Sequence, residues 1–344
     1  MTDVLRVDAD NPDRAVIARA AACLRGGGLV AFPTETVYGL GAHALNRLAI
    51  QRVFAAKQRP ANDPLIIHIG SIDEAPPLVT DIPAAARELA ARFWPGPLTM
   101  VLRRSALVPD EVTAGLGTVA IRVPSHPVAH ALIEAARVPV AAPSANLFSR
   151  PSPTRASHVL ADLNGRIDMV LDGGSTYVGL ESTVVDLSGG CATVLRPGAI
   201  DIEALRQLLP DIRTHRGISQ TDAVMPSPGM LAKHYSPRTP LILHDGDRAA
   251  ALSAMERDAQ QRLERGERVV ILAYTEDVNE LRSLAVQVVQ LESEADPAAI
   301  ASRLYAALRE SDELGSNVIL VRDITTLHPL SAAIHDRLRR AAAG

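Results

Sequence analysis

The chain has 344 residues, of which 47% are hydrophobic and 22% charged; this is a globular composition with length enough for two domains, and it excludes a disordered chain. A net charge of −4 and only 3% aromatic residues argue against a bulk basic field or a base-stacking platform as the basis of function. Two cysteines, Cys23 and Cys191, with no CxxC or Cys/His spacing argue against a disulfide framework and a structural zinc site.

The first stretch, MTDVLRVDAD, has neither a basic nor an apolar leader region, and no run approaches the length of a membrane span. A cytoplasmic protein without membrane contact is therefore expected. Asp10, Asn11 and Pro12 start a helix whose apolar positions, Val16, Ile17, Ala20, Ala21 and Leu24, follow helical spacing. Gly26, Gly27 and Gly28 end it. They precede a strand, whereas a phosphate-binding loop follows one, so the trio reads as a structural stop.

Residues 29–32 read as a buried strand that stops at Pro33. Polar Thr34, Glu35 and Thr36 follow at once, and Gly39 and Gly41 are expected to let the backbone turn. Ligands bind where strands of an α/β sheet end, and polar groups buried there are costly unless something uses them. Asn46 caps a helix over 47–56. Lys57 and Arg59, at or beyond its end, serve either the helix dipole or a ligand. Residues 65–69 form a buried strand carrying His68, which fits a hydrogen-bonded core residue as well as a site residue.

Pro83 opens a helix to Phe93, and Trp94-Pro95-Gly96-Pro97 is a rigid turn into a strand over 98–102. The next strand, 119–123, holds Arg122. A charge in such a strand needs a partner, and with no acidic residue obvious nearby, an anionic ligand is a candidate. A helix over 127–136 and a strand over 138–142 end in Pro143-Ser144-Ala145-Asn146. Ser149, Arg150, Ser152 and Thr154 then lead into a helix over 155–163. Strands over 169–172, 183–187 and 192–195, the last running into Arg196, and a helix over 200–209 complete a first domain, 1–210.

Residues 211–240 read as a linker rich in proline, with an odd island, SPGMLAKHYSP, that ought to dock somewhere. From 241 to 344, strands at 241–244, 268–274, 286–291 and 318–321 alternate with helices at 247–266, 297–308 and 330–343. That pattern means a small parallel α/β domain. It carries no GxGxxG, no Walker motif and no catalytic cluster.

Lys57, Arg59, Arg122, Arg150 and Arg196, among hydroxyls and amides at Thr34, Thr36, Ser144, Asn146, Ser152, Ser182 and Thr183, suit a triphosphate plus a small carboxylate-bearing substrate. No Ser-His-Asp order or isolated carboxylate pair points to a hydrolase.

The motifs FPTETVYGLG, KQRPANDPLIIHI, WPGPLT, VAIRVPSHP, VAAPSANLFSRPSPT, GLESTVVDL, LRPG and SPGMLAKHYSP stand in order across about residues 10–236. Together they resemble the threonylcarbamoyl-AMP synthase family, in its two-domain form. The resemblance implies a YrdC-like twisted mixed α/β sheet with helices, followed by a smaller Rossmann-like parallel α/β domain. It implies synthesis of L-threonylcarbamoyladenylate and diphosphate from L-threonine, bicarbonate or CO₂, and ATP with Mg²⁺ carried on its phosphates. A downstream transferase would move the group to adenosine 37 of tRNAs that read codons beginning with A; a direct tRNA contact is left open. By the same resemblance, Thr34, His68, Arg122, Ser182 and the Ala142 backbone would hold threonine. Lys57, Arg59, Ala61, Thr118, Ser144, Asn146, Ser152 and Arg196 would hold ATP, Lys57 and Arg59 being the catalytic pair that neutralises developing charge. His234 and Tyr235 would lie near the nucleotide, on a linker folded back as a lid. No protein metal ligand and no general base is assigned, and Glu35 is either a metal-side carboxylate or the partner of a neighbouring cation. Two alternatives stand beside this: an RNA-binding YrdC-type module without synthase activity, and a carbamoyl-adenylate-forming protein of the hydrogenase-maturation type, which the two cysteines disfavour.

Overall fold

A computed structural model describes residues 1–215, 225, 227 and 234–343. The chain divides into two compact units, Met1–Phe148 with Ser152–Leu231, and Ser149–Pro151 with Ala232–Gly344. The division falls inside the expected linker, most of which, including the stretch 228–233 of the island, lies outside the described residues.

The first unit is built on one mixed sheet. Its strands are β1 (Asp3–Arg6), β2 (Val30–Pro33), β3 (Tyr38–His43), β4 (Ile66–His68), β5 (Leu98–Arg103), β6 (Thr118–Arg122), β7 (Val140–Ala141), β8 (Met169–Asp172), β9 (Thr183–Asp186), β10 (Thr193–Arg196) and β11 (Arg213–Thr214). They lie in the order β1-β8-β2-β3-β7-β4-β6-β5-β9-β10-β11. β4 runs parallel to β6 and β5 to β9, whereas β2–β3, β5–β6 and β9–β10 are antiparallel.

The helices are α1 (Arg14–Arg25), α2 (Arg47–Lys57), α3 (Ala84–Phe93), α4 (Asp110–Thr113), α5 (Pro127–Ala136), α6 (Ala156–Leu163) and α7 (Ile202–Leu208). Their starts follow from the caps. Asp13 accepts the Ala15 and Val16 N–H groups at α1, Asn46 those of Leu48 and Ala49 at α2, and proline opens α5. Val30 and Phe32 join one core with α1 and α5. Ala31 joins another with Ile50 and Val53 of α2. A strand covered on both faces has no polar side to show, which is why residues 29–32 read as a continuous apolar run.

One expectation is corrected here. Gly39 and Gly41 do not turn the chain; they lie within β3, which pairs antiparallel with β2 from Val30↔Gly41 to Pro33↔Tyr38. The turn is the loop 34–37. The glycines are there for space: a Cβ on Gly41 would stand 2.7 Å from Phe32 Cε1 and 3.1 Å from Val140 Cγ1. Strands β1 and β11 and helix α4 were not legible because each is too short to show a period.

The second unit comprises β12 (Leu241–His244), α8 (Arg248–Glu264), β13 (Val269–Ala273), α9 (Val278–Leu281), β14 (Gln287–Gln290), α10 (Pro297–Glu313), β15 (Val318–Arg322) and α11 (Ser331–Ala342). Its sheet has the order β12-β15-β13-β14 and is parallel throughout. At the carboxyl edge, wholly buried Arg322 lies between Asp277 Oδ2 and Glu294 Oε2, each at 2.6 Å, with its guanidinium 4.4 Å from the centre of the Tyr274 ring.

The packing around β3 makes a testable point. Gly41→Ala is expected to lower stability by about 1–3 kcal/mol through overpacking against Phe32 and Val140, read as a drop in the thermal unfolding midpoint, whereas Gly190→Ala, whose Cβ meets nothing within 4 Å, will be neutral.

Candidate functional site

The hairpin β2–β3 carries the first group of site residues at its tip. Thr34 Oγ1 donates to Val37 O at 2.6 Å, accepts the N–H groups of Thr36 and Val37 at 3.2 Å, and lies 2.8 Å from Thr36 Oγ1. The hydroxyl therefore organises the turn. The chain then turns Glu35 inward, wholly buried, with Oε1 at 2.7 Å from Arg122 Nη2. That is the acidic partner of Arg122 which the sequence did not reveal, and it fits the reading of Glu35 as a cation's partner. Arg122 Nε also donates to Gly96 O at 3.3 Å. In the register of β4 and β6, His68 stands opposite Arg122. Burial, with the Arg122 charge acting in the same direction, pushes the His68 pKa down to about 3, so the ring is neutral.

The second group gathers at the end of α2. The side chain of Lys57 is buried, and its Nζ donates to Ser144 O and, at 2.7 Å, to Asn146 O. Arg59 donates to Asp63 O and Pro64 O, and its Nη2 lies 2.9 Å from Asp63 Oδ2. Burial raises the Asp63 pKa, and the charges of Arg59, Lys57 and Arg196 oppose that rise. Arg59 is thus paired with Asp63, and the charges of Lys57 and Arg196 also act on that carboxyl. Arg196 donates to Ser182 O at 2.9 Å and Ser182 Oγ at 3.1 Å, and Ser182 Oγ lies 2.7 Å from Thr99 Oγ1.

The two groups are parts of one ring. Thr183 N–H donates to Pro97 O, so the Gly96–Pro97 turn links Arg122 to the Ser182–Arg196 pair. Ser144, held through its carbonyl by Lys57, forms a bridge with Gly39 of the hairpin. Ser152 donates to Glu181 Oε1 at 2.5 Å, and Tyr38 N–H to Pro153 O, so the 152–153 stretch returns to the same hairpin. Ile66, Val101, Ala120, Val184 and Leu195 form an apolar cluster beneath, to which Met225 of the connecting segment is added; Met225 N–H reaches Asn62 O at 3.4 Å.

Not every predicted residue falls in this ring. Ala61 is exposed on the turn after Arg59, and Thr118 begins β6, at the opposite end of that strand from Arg122. Ala142 is buried and its N–H donates to Ile66 O. Arg150, His234 and Tyr235 belong to the second unit, where Arg150 pairs with Asp312 at 2.9 Å and the Tyr235 ring lies 5.1 Å from the Arg337 guanidinium. Asp63, Glu181 and Thr99 were missed. An acid beside an apolar strand, in a chain with several cations, was the available signal for Asp63. Among the described residues, no three His, Cys, Asp or Glu side chains are grouped to hold a metal ion, and no helix is long and apolar enough to cross a membrane.

A mixed-sheet unit with a cation-rich polar ring, followed by a parallel α/β unit, defines a two-domain protein of the YrdC class. Residues 22–198 match the Sua5/YciO/YrdC family model, described as "Telomere recombination", and residues 200–343 match the model described as "Threonylcarbamoyl-AMP synthase, C-terminal domain". The chain is 43% identical over 325 residues to the threonylcarbamoyl-AMP synthase of Pyrococcus abyssi, covering 94% of this chain and 93% of that one. It is 42% identical over 330 residues to the threonylcarbamoyl-AMP synthase of Bacillus subtilis, covering 95% and 93%. The crystal structure of P. abyssi Sua5 complexed with L-threonine superposes with a TM-score of 0.92 at 40% identity, over 99% of this chain and 98% of that one. The chain belongs to the threonylcarbamoyl-AMP synthase family.

The neutral state of His68 has a consequence for stability. Its folded pKa of about 3 lies below the unfolded value near 6.5, so between these pH values the unfolded chain binds the extra proton. This contribution is complete above about pH 6.5 and is lost as pH falls toward about 3, at up to about 1.4 kcal/mol per pH unit. Urea unfolding at a series of pH values will show that slope in the natural protein and a shallower one in His68→Gln.

Proposed function

We infer that this chain is an L-threonylcarbamoyladenylate synthase, converting L-threonine, bicarbonate and ATP to L-threonylcarbamoyl-AMP, diphosphate and water. The observation that carries this reading is the division of the site's cations into two groups: Arg122 paired with Glu35, and Arg59 paired with Asp63, with the charges of Lys57 and Arg196 acting on that same carboxyl. One guanidinium suits a small carboxylate; three cations suit a polyphosphate.

Arg122, neutral His68, Thr34, Ser182 and the Ala142 backbone take threonine in this reading. Lys57, Arg59, Ser144, Asn146, Ser152 and Arg196 take ATP, joined by Ala61, Thr118, His234 and Tyr235 from the edges. The amine of threonine is carboxylated, and the carbamate oxygen then attacks the α-phosphorus as diphosphate leaves. Lys57 and Arg59, already fixed on backbone carbonyls and on Asp63, stabilise the charge that develops on the phosphate oxygens without reorganising. Mg²⁺ favours waters and substrate phosphates over all-protein cages, so it fits this donor set as an ion that arrives with ATP. The product would serve a tRNA threonylcarbamoyl transferase acting at adenosine 37, in the cytoplasm. The alternative of an RNA-binding module without synthase activity gains no support from the near-neutral charge and scarce aromatics.

Diphosphate release from ATP is expected to require both threonine and bicarbonate; release at the same rate without threonine would overturn the reading. Arg122→Lys keeps the charge opposite Glu35 but loses the planar fork, so the KM for threonine should rise about tenfold or more while that for ATP changes little. Arg122→Ala is the poorer test, because it strands a buried carboxylate and is expected to cost about 3–5 kcal/mol of stability.

A further inference from the structure

We propose that Glu35 determines specificity by reading the α-ammonium group of the amino-acid substrate, while Arg122 reads its α-carboxylate. The proposal rests on the synthase reading above and extends it to Glu35, which that reading uses only as the counter-charge of Arg122.

Glu35, like Asp63, is a buried carboxylate beside an arginine and short of hydrogen bonds, and Glu35 is the one that stands at the Arg122 side of the ring. It is wholly buried, and Oε1 is 2.7 Å from Arg122 Nη2, so its charge is compensated. Yet among the described residues neither of its carboxylate oxygens accepts a well-aligned hydrogen bond, and Arg122 Nη2 donates none. Buried polar atoms in native proteins are nearly always hydrogen-bonded, and an exception of this kind calls for a reason. Several neighbouring groups are committed elsewhere. Val178 N–H goes to the Glu35 backbone carbonyl at 2.9 Å. The Thr34 hydroxyl is used inside the turn, where Thr36 Oγ1 meets it. His126 Nδ1 accepts from Val128 N–H and brings no donor through that atom. A bound molecule that presents N–H donors would supply what these neighbours do not.

The same molecule must satisfy Arg122. An arginine and a carboxylate side by side, both buried and both short of hydrogen bonds, are the complement of a group that presents a carboxylate and an N–H cation a few ångströms apart. An α-amino acid zwitterion does this, because both charges sit on one carbon. A keto acid offers no donor and leaves Glu35 unsatisfied, and a hydroxy acid offers one neutral O–H in place of a cationic N–H group, so both match the pair less well than the zwitterion does. Substrate charges would cancel against the pair, so binding adds no net charge to the interior. Neutral His68, opposite Arg122 in the register of β4 and β6, adds no competing cation.

The test uses the full chain and isothermal titration calorimetry with two probes: L-threonine, and the hydroxy acid that carries a hydroxyl in place of threonine's amine. The natural protein should prefer threonine by about tenfold or more, the scale of a hydrogen bond to a charged group. In Glu35→Gln that preference should disappear or reverse, because threonine loses the partner of its ammonium while the carboxylate of both probes meets an Arg122 that is no longer neutralised. Equal weakening of both probes would assign Glu35 a structural role and overturn the proposal, as would a variant that keeps the natural preference. Glu35→Asp, which retains the charge, should keep part of the preference and serves if Glu35→Gln does not fold; loss of all preference in a folded Glu35→Asp that still binds ATP would also count against the proposal. Diphosphate release separates the two readings. Threonine-dependent release in the natural protein, with the preference unchanged in Glu35→Gln, sinks the role of Glu35 alone, whereas a natural protein with neither threonine binding nor threonine dependence sinks both.

Discussion

Burying charge is the constraint on which the first unit depends. Arg122, Lys57, Arg59 and Arg196 are all nearly inaccessible, and so are Glu35 and Asp63. An unpaired charge in such a place costs several kcal/mol, so every one of these side chains has a fixed partner. Arg122 faces Glu35, Arg59 faces Asp63, Lys57 is tied to two backbone carbonyls and Arg196 to Ser182. The cations outnumber these carboxylates, which leaves the ring with excess positive charge.

The fixed partners also explain the fold's odd details. Lys57 holds the carbonyls of the loop after β7, and that loop is bridged to β3. The β2–β3 hairpin must come close to β7 to make the bridge, and this is why Gly39 and Gly41 have no side chains: a Cβ on Gly39 would meet Ala142 Cβ at 3.3 Å. The tight approach then sets where the tip of the hairpin sits, and with it Glu35. Polar groups preset in this way do not need to reorganise when charge develops on a substrate, which is the economical route to stabilising a transition state.

The second unit meets the same constraint differently. Arg322 has no exposure, but Asp277, Glu294 and the Tyr274 ring enclose it, and Arg248 also reaches Asp277. Here the carboxylates satisfy the cation and leave no excess positive charge. The carboxyl edge of its parallel sheet, where α/β proteins often bind ligands, is filled by the protein's own ion pairs.

The sequence by itself determined the regular elements and the family. The starts of α8 at Asp247 and of α10 at Pro297, with the alternation of apolar strands and amphipathic helices, fix the second unit almost strand by strand, because those signals are local. The polar strand exits and their cations were legible for the same reason. What only the tertiary structure decided is who faces whom. Glu35 and Arg122 are far apart in the chain, and so are Asp63 and Arg196; electrostatic partners of that kind leave no periodic trace. Gly39 and Gly41 read as a turn from composition, and became strand residues because β2 and β7 crowd them on either side. Pairing across the sheet, not propensity, set both the hairpin and the charge partners of the site.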